Sequence, residues 1–147
     1  MSATQSQLPE LLAIPTRATR AADLGATLLR VVQGGLFVVH GGLKQFIFTP
    51  AGTAAFFTGL GLPGPLAYLV IAAELLGGIA LVLGFKTRIV SLALVPVLLG
   101  AIATVHAQAG FFFSNPNGGW EYPAFWIVTL LVQSLLGSGL YSLDKSA

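Results

Sequence analysis

The chain has 147 residues, of which 55% are hydrophobic and 8% charged, with a formal net charge of +2 and a mean hydropathy of +0.86. Soluble domains carry about 25% charged residues, so this composition excludes an ordinary soluble domain and predicts one integral membrane domain with the lipid bilayer as its solvent. The few scattered lysines and arginines argue against nucleic-acid binding. The absence of cysteine excludes thiol chemistry and cysteine-ligated metal.

Residues 1–22 are predicted to be a polar, mostly irregular lead on the cytoplasmic side. Four apolar segments follow, and each approaches the ~20 residues that a helix needs to cross ~30 Å of hydrocarbon. We therefore expect residues 23–147 to form an all-α, polytopic transmembrane four-helix bundle of up-down topology. The predicted spans are about 24–44, 66–83, 89–109 and 124–143.

The orientation follows from the distribution of positive charge. Arg17 and Arg20 precede the first span, Lys86 and Arg88 lie in the short connection between the second and third spans, and Lys145 follows the fourth. The loop between the third and fourth spans has no cation. The positive-inside rule then places both termini in the cytoplasm of a bacterial cell, with the protein in its plasma (inner) membrane.

One polar stripe runs along the first predicted helix. At 100° per residue, Arg30, Gln33, Phe37, His40 and Lys44 share one face, which we expect to turn inward, away from lipid. At a rise of 1.5 Å per residue, His40 and Lys44 lie about 24 and 30 Å above the inner boundary, whereas Arg30 lies only about 9 Å above it. There Arg30 is expected to snorkel toward the surface.

Glu74 is the first candidate for a catalytic group. It lies about 12 Å below the outer boundary, where a carboxylate costs at least ~2.5 kcal/mol and is therefore expected to be paired, hydrated or protonated. Depth makes His40 or Lys44 a suitable partner, and Arg30 is another if its side chain points upward. The functional hypothesis is a proton-accepting or ligand-binding group, and the alternative is an ion pair that only stabilises the bundle.

His40 and His106 are the other candidate catalytic residues, because histidine titrates near neutral pH. We expect no metal site, since the chain lacks the short-range His-xxx-His or Glu-xx-His spacing of metal ligands. The alternative is that each histidine only forms a hydrogen bond at a helix interface. Glu121 and Trp120 lie on the same outer side, in the last loop. This loop is predicted to cover a polar cavity in the outer half of the bundle as a lid or, alternatively, to belong to an interfacial aromatic belt.

Five short motifs occur in order along the chain, at residues 40–44, 74–78, 84–88, 106–111 and 117–121, and are followed by the ending at Asp144. In the order and spacing of these motifs, the chain resembles the DoxX family of small four-helix membrane proteins over residues 23–144. The resemblance implies a membrane oxidoreductase subunit, as in an archaeal thiosulfate:quinone oxidoreductase, and implies that the family's polar positions are His40, Lys44, Glu74, His106 and Glu121.

Three functions are compatible with these features. The first is a quinone-interacting redox subunit, in which His40, His106, Lys44 and Glu74 supply donors and an acid, Trp120 or Trp126 stacks on the ring, and a redox partner protein supplies electrons. The second is a membrane anchor or assembly subunit without catalysis. The third is a carrier for a small solute or protons, which would need a homo-oligomer. The ligand-binding candidates are Lys44, Glu121, Trp120 and Arg30.

Overall fold

The computed structural model describes residues 17–144, and within them every regular element is a helix. The chain forms α1 (Arg17–Gly42), α2 (Pro50–Gly59), α3 (Leu66–Leu83), α4 (Thr87–Ala101) and α5 (Glu121–Leu136). A π-helical turn, Leu43–Ile47, extends α1, and a second one, Ile102–His106, followed by the 3₁₀ turn Ala107–Ala109, extends α4. The all-helical prediction is therefore confirmed for the described residues.

Three of the helices are long and apolar enough to cross a membrane. They are Thr19–Ile47, Leu66–Leu83 and Thr87–Ala109, and they contain the first three predicted spans. The helix α1 begins at Arg17, so the prediction of an irregular segment up to residue 22 is wrong for residues 17–22, while residues 1–16 lie outside the described part of the chain.

The last helix differs from its prediction. The expected span was 124–143, but α5 runs from Glu121 to Leu136, which is 16 residues or about 24 Å. Gly137, at φ 86°, ends the helix, and Gly139 and Tyr141 also adopt positive φ. These left-handed positions turn the apolar segment after α5 into an irregular tail. The tail packs against the end of α3, where the Leu143 N–H donates to the Leu83 carbonyl at 3.0 Å.

The helices pack around one apolar core. The most extensive contacts join α1 to α3 and α4 to α5. The core consists of Phe37, Leu81, Leu94, Leu98, Trp126 and Leu130. Large apolar side chains such as Leu28, Leu69, Leu76 and Leu135 are exposed on the outside of the same helices, which is the pattern expected where lipid replaces water as the surrounding solvent.

Glycines of α1 and α3 allow these two helices to approach each other closely. A Cβ atom added to Gly34 would lie 2.6 Å from the Gly78 carbonyl oxygen, and one added to Gly78 would lie 2.7 Å from the Gly34 oxygen. Only hydrogen side chains allow this contact. It fixes the distance between the two helices that carry Arg30, Lys44 and Glu74.

The arrangement has two opposite ends. The Lys86 end is the end with the α3–α4 turn and the tail after α5, and the Glu121 end is the end with the π-helical extensions of α1 and α4 and the beginning of α5.

Candidate functional site

A buried ion pair lies in the half of the helices toward the Glu121 end. The Lys44 Nζ donates to both carboxylate oxygens of Glu74, at 2.8 and 2.7 Å. The Glu74 side chain is 6% exposed and that of Lys44 is 22% exposed. Of the three candidate partners of Glu74 (His40, Lys44 and Arg30), Lys44 is therefore the one that pairs with it. Contact with both carboxylate oxygens holds the carboxylate in one orientation.

The local backbone explains why the two side chains meet. Lys44 lies in the π-helical turn that follows Gly42, and Glu74 lies on the buried face of α3. Gly41 allows the close approach, because a Cβ atom there would lie 2.8 Å from the Leu75 Cγ and 3.2 Å from the Glu74 Cβ. A larger residue at position 41 would push α1 away from α3 at the level of the pair.

His40 lies one turn before Lys44 on the same stripe of α1. Its Nδ1 lies 2.8 Å from the Leu36 carbonyl oxygen. Because a carbonyl can only accept, Nδ1 must carry the proton, and in the neutral ring Nε2 has the free lone pair. The ring makes an edge contact with Trp126, with centroids 5.3 Å apart, and Trp126 in turn packs on Phe37 at 4.4 Å and Tyr122 at 5.7 Å. His40 thus presents one basic nitrogen beside an aromatic wall.

His106 and Glu121 hold the loop between α4 and α5. The His106 Nδ1 donates to the Gly118 carbonyl at 2.8 Å, and the Phe113 N–H donates to the Glu121 Oε1 at 2.7 Å. Trp120 makes an edge contact with Phe111, with centroids 4.8 Å apart. These three candidates therefore fasten the loop to the ends of the two helices, so each has a structural role in the described contacts. Because the His106 Nδ1 donates to the loop, the Nε2 of the neutral His106 ring can still accept a hydrogen bond.

Arg30 lies in a different place from the one predicted. Its side chain belongs to the fully buried set, with 1% exposure, so it does not snorkel, and it points toward the Lys86 end rather than toward Glu74. The guanidinium donates to five main-chain carbonyls at 2.7–3.2 Å, those of Leu81, Val82, Ser138, Leu140 and Tyr141. Carbonyls at a helix C-terminus lack helical partners and carry partial negative charge, which compensates the buried cation. Arg30 therefore fastens the tail to the end of α3.

Asp144 is a polar residue to which the sequence assigned no role. Its carboxylate accepts from the Lys86 N–H at 2.7 Å and the Thr87 N–H at 2.9 Å, so it caps the beginning of α4. Burial by itself raises the pKa of Asp144, but the two main-chain hydrogen bonds and the charge of Arg30 outweigh it and hold that pKa below its ordinary value. The only signal for Asp144 in the sequence was that the chain's ending resembles that of the family. The capping role of Asp144 depends on the tail folding back onto the beginning of α4, which helical periodicity does not reveal.

A crevice of about 420 Å³ opens beside this cap at the Lys86 end. Its polar lining comes from Asp23, Lys86, Arg88, Ser138 and Asp144. It connects the surface with the beginning of α4.

Several buried side-chain atoms in the core have no hydrogen-bond partner in the described range. They include both amide atoms of Gln33, the Ser91 Oγ, the Gln133 Oε1 and the Trp126 Nε1. The Gln133 Nε2, by contrast, donates to the Gly137 carbonyl at 2.7 Å. Each of the four side chains is at most 5% exposed. The phase of the first helix identified Gln33 as inward, whereas Ser91 gave no signal because a single serine in an apolar helix shows no pattern.

A narrow apolar groove of about 310 Å³ lies between the end of α1 and the lipid-facing side of α3. It is lined by Gln45, Tyr68, Ile71, Ala72, Leu75 and Leu76. Gln45 and Leu75 directly follow the two members of the ion pair in the chain. Within residues 17–144, no group of three or more histidine, aspartate or glutamate side chains is arranged to hold a metal ion.

Comparison with known proteins identifies the family. The sequence profile described as DoxX matches residues 25–107, more than half of the chain. The chain belongs to the DoxX family. It is 38% identical over 125 residues to "Putative oxidoreductase CatD" of Bacillus subtilis, covering 85% of this chain and 88% of the relative. It is 29% identical over 131 residues to "Inner membrane protein YqjF" of Escherichia coli, covering 84% and 92%. No solved structure matches the chain.

The DoxX match covers most of the candidate residues. It includes Arg30, His40, Lys44, Glu74 and His106, while the loop after residue 107, α5 and the tail lie beyond it. This DoxX protein is a membrane protein, as its relative's name and its three long apolar helices both indicate.

Proposed function

We propose that this DoxX protein is a quinone-interacting subunit of a membrane oxidoreductase complex. The observation that carries the proposal is the largely buried Lys44–Glu74 pair, whose chain neighbours Gln45 and Leu75 line an apolar groove on the outside of the helices. A quinone combines an apolar tail with a ring whose two carbonyls need hydrogen-bond donors. The pair supplies a donor and an acid at one place, and the groove offers a path for the tail from the bilayer.

His40 supports the same assignment. Its Nε2 can accept a proton from a quinol hydroxyl or, when protonated, donate one to a quinone carbonyl. The indole of Trp126 beside it forms an apolar wall for the ring. The proposed site therefore consists of a positioned carboxylate, an ammonium group and, one turn earlier on α1, an imidazole.

The electrons are assigned to a redox partner protein. Reduction of one quinone to a quinol takes two electrons and two protons, and the cysteine-free chain cannot ligate an iron–sulfur cluster through thiolates. In this proposal the partner supplies both electrons and the site delivers both protons to the quinone oxygens. The name of the Bacillus subtilis relative supports an oxidoreductase, although it names no substrate.

The proposal also assigns the orientation. With both termini in the cytoplasm of a bacterial cell, the Glu121 end faces outward and the Lys86 end faces inward, in keeping with the positive-inside rule. Reporter fusions at Asn115 that become active in the cytoplasm would contradict this orientation.

Binding of decylubiquinone to the purified protein in nanodiscs tests the function directly. We expect saturable binding that weakens at least tenfold in Ala72→Trp, because an indole would fill the groove. Leu69→Trp is the matched control, since Leu69 also faces outward from α3 but does not line the groove. We also expect Glu74→Gln to weaken binding, because the amide keeps the shape but neither pairs with Lys44 nor transfers a proton.

Two results would count against the quinone role. One is no saturable binding in the wild type, and the other is equal binding by the two tryptophan variants. A stoichiometric partner protein whose activity survives Glu74→Gln would then favour the anchor or assembly role. Solute or proton flux in proteoliposomes, lost in Glu74→Gln, would favour the carrier role.

A further inference from the structure

The side chains with unpartnered polar atoms lie at successive levels along the core. Trp126 touches both His40 and Phe37, which sets the first level. Gln33 precedes Phe37 by four residues of α1 and therefore lies about 6 Å closer to the Lys86 end. Gln133 follows Trp126 by seven residues of α5 and therefore lies about 10 Å closer to that end.

Ser91 belongs to the same level as Gln133. Arg88, three residues before it on α4, donates to the Ser134 and Leu135 carbonyls at 3.0 and 2.9 Å. This contact ties the beginning of α4 to the end of α5, and Ser91, about 4.5 Å further along α4, therefore lies near the level of the α5 turn that contains Gln133. Both side chains are fully buried at 0% exposure.

The series continues to the surface at the Lys86 end. Thr87 lies four residues before Ser91, one helical turn away, and its hydroxyl-bearing side chain is also fully buried. The Thr87 N–H binds the Asp144 carboxylate, which lines the crevice of about 420 Å³. Measured along the helix axes, polar groups therefore recur at levels about 4–6 Å apart from the crevice to the ring of His40.

We propose that this core binds a column of water molecules that exchanges protons between Asp144 and the His40 level. The members lie on three different helices, so bound waters would join them across the core, each water linking two polar atoms by two hydrogen bonds of about 2.8 Å. The amide of Gln33 offers two donors and an acceptor, and the Ser91 hydroxyl both donates and accepts. Buried polar groups in proteins are satisfied either by protein atoms or by ordered water.

The proton balance along such a column is simple. A proton enters from the crevice beside Asp144, each water or hydroxyl accepts one proton and passes on another, and one proton leaves toward the His40 Nε2. Gln33, Gln133 and Trp126 hold waters in place without changing their own protonation. The existence of the column does not depend on a quinone, whereas its use in delivering protons to a quinone rests on the proposed function.

The indole N–H of Trp126 is a built-in reporter for this proposal. The chain has two tryptophans, so the two indole signals in a ¹H–¹⁵N spectrum can be assigned with Trp120→Phe. Trp126 is 5% exposed. If water reaches it through the core, its N–H exchanges with deuterated solvent within minutes. We expect exchange at least tenfold slower in Ser91→Ala and in Gln33→Met, which remove polar atoms from the part of the column nearer the Lys86 end.

Ser134→Ala is the matched control for Ser91→Ala. Its hydroxyl binds the Leu131 carbonyl of its own helix, and we expect exchange within twofold of the wild type. If Gln33→Met does not fold, Ser91→Ala decides alone, because it shortens the side chain by one oxygen atom.

Two outcomes overturn the column. One is a wild-type Trp126 N–H that stays protected for hours, and the other is equal exchange in Ser91→Ala and Ser134→Ala, which would mean that solvent arrives from the Glu121 end. Decylubiquinone binding, measured on the same samples, keeps the proposals separate. Lost binding with normal exchange rejects only the quinone role, and normal binding with a protected indole rejects only the column.

Discussion

The contact between Lys44 and Glu74 predicts a strongly non-additive mutant cycle. Lys44→Met keeps the apolar stem and removes the charge, leaving a carboxylate that is 6% exposed without its partner. The loss includes two hydrogen bonds between charged groups, each worth roughly 1.5–3 kcal/mol. Because the lysine is less than a quarter exposed, solvent relieves little of this. We expect Lys44→Met to lower the free energy of unfolding by about 3–5 kcal/mol, the usual range for breaking a buried pair.

The double variant separates the free energy of the Lys44–Glu74 interaction from the effects of the two individual substitutions. In Lys44→Met/Glu74→Gln no charge remains buried, so we expect stability to return to within about 1 kcal/mol of the wild type. The coupling free energy would then be at least ~2 kcal/mol. Reversible unfolding in mixed detergent micelles, followed by far-ultraviolet circular dichroism, measures all four proteins under one condition. Additive effects, with a coupling below about 0.5 kcal/mol, would refute the direct contact.

Three further predictions address the packing that positions the pair. Gly34→Ala should cost at least ~2 kcal/mol of stability because its Cβ would meet the Gly78 carbonyl, whereas the neighbouring Gly35→Ala, with nothing within 4 Å, should be neutral or up to ~1 kcal/mol stabilising in the same assay. Arg30→Lys should lose about 2–4 kcal/mol and expose the tail to limited proteolysis, because an ammonium offers three donors where the guanidinium uses five hydrogen bonds. Asp144→Asn should lower the melting temperature at neutral pH, and the difference from the wild type should vanish at low pH.

The sign of the Asp144 effect follows from its lowered pKa. A carboxyl with a lower pKa in the folded state stabilises the protein above the unfolded-state pKa, about 3.9, and this contribution is lost as the pH falls through the folded-state value. Melting curves between pH 2 and pH 7 test this. A constant difference in melting temperature across this range would contradict the role of Asp144 as a cap. Equal stabilities of Gly34→Ala and Gly35→Ala would contradict the glycine contact. An Arg30→Lys tail as resistant to proteolysis as that of the wild type would contradict the role of Arg30.

Helical periodicity explains what the sequence could predict. An apolar helix in lipid must turn its few polar side chains inward, and for α1 this placed Gln33 and Phe37 in the core and His40 and Lys44 beside it. Depth, counted from the helix ends, brought Lys44 and Glu74 to compatible levels because both helices are continuous over the counted residues. These predictions depend on geometry within one helix and on the solvent around it.

The wrong predictions arise where the chain leaves regular geometry. Apolar composition continues to Leu143, but the positive φ angles at Gly137 and Gly139 end α5 early. The tail that results brings carbonyls to Arg30, so a cation that depth alone would send to the surface is instead held inside. Likewise, the sequence pattern placed Glu121 and His106 with the other candidates on the outer side, yet both form their hydrogen bonds with the loop between α4 and α5. The conformation of that loop depends on its turns and not on helical periodicity.

The stability of the double variant also bears on function. A buried ion pair and a well-packed apolar pair of similar volume often give nearly equal stability, so a pair is weak evidence for a stabilising role. If Lys44→Met/Glu74→Gln is as stable as the wild type, the protein gains little net stability from these charges, and the structural explanation of Glu74 loses its basis. Loss of decylubiquinone binding in that same stable variant would then assign the charges to the ligand. Unchanged binding would instead leave His40 and the groove as the determinants of binding.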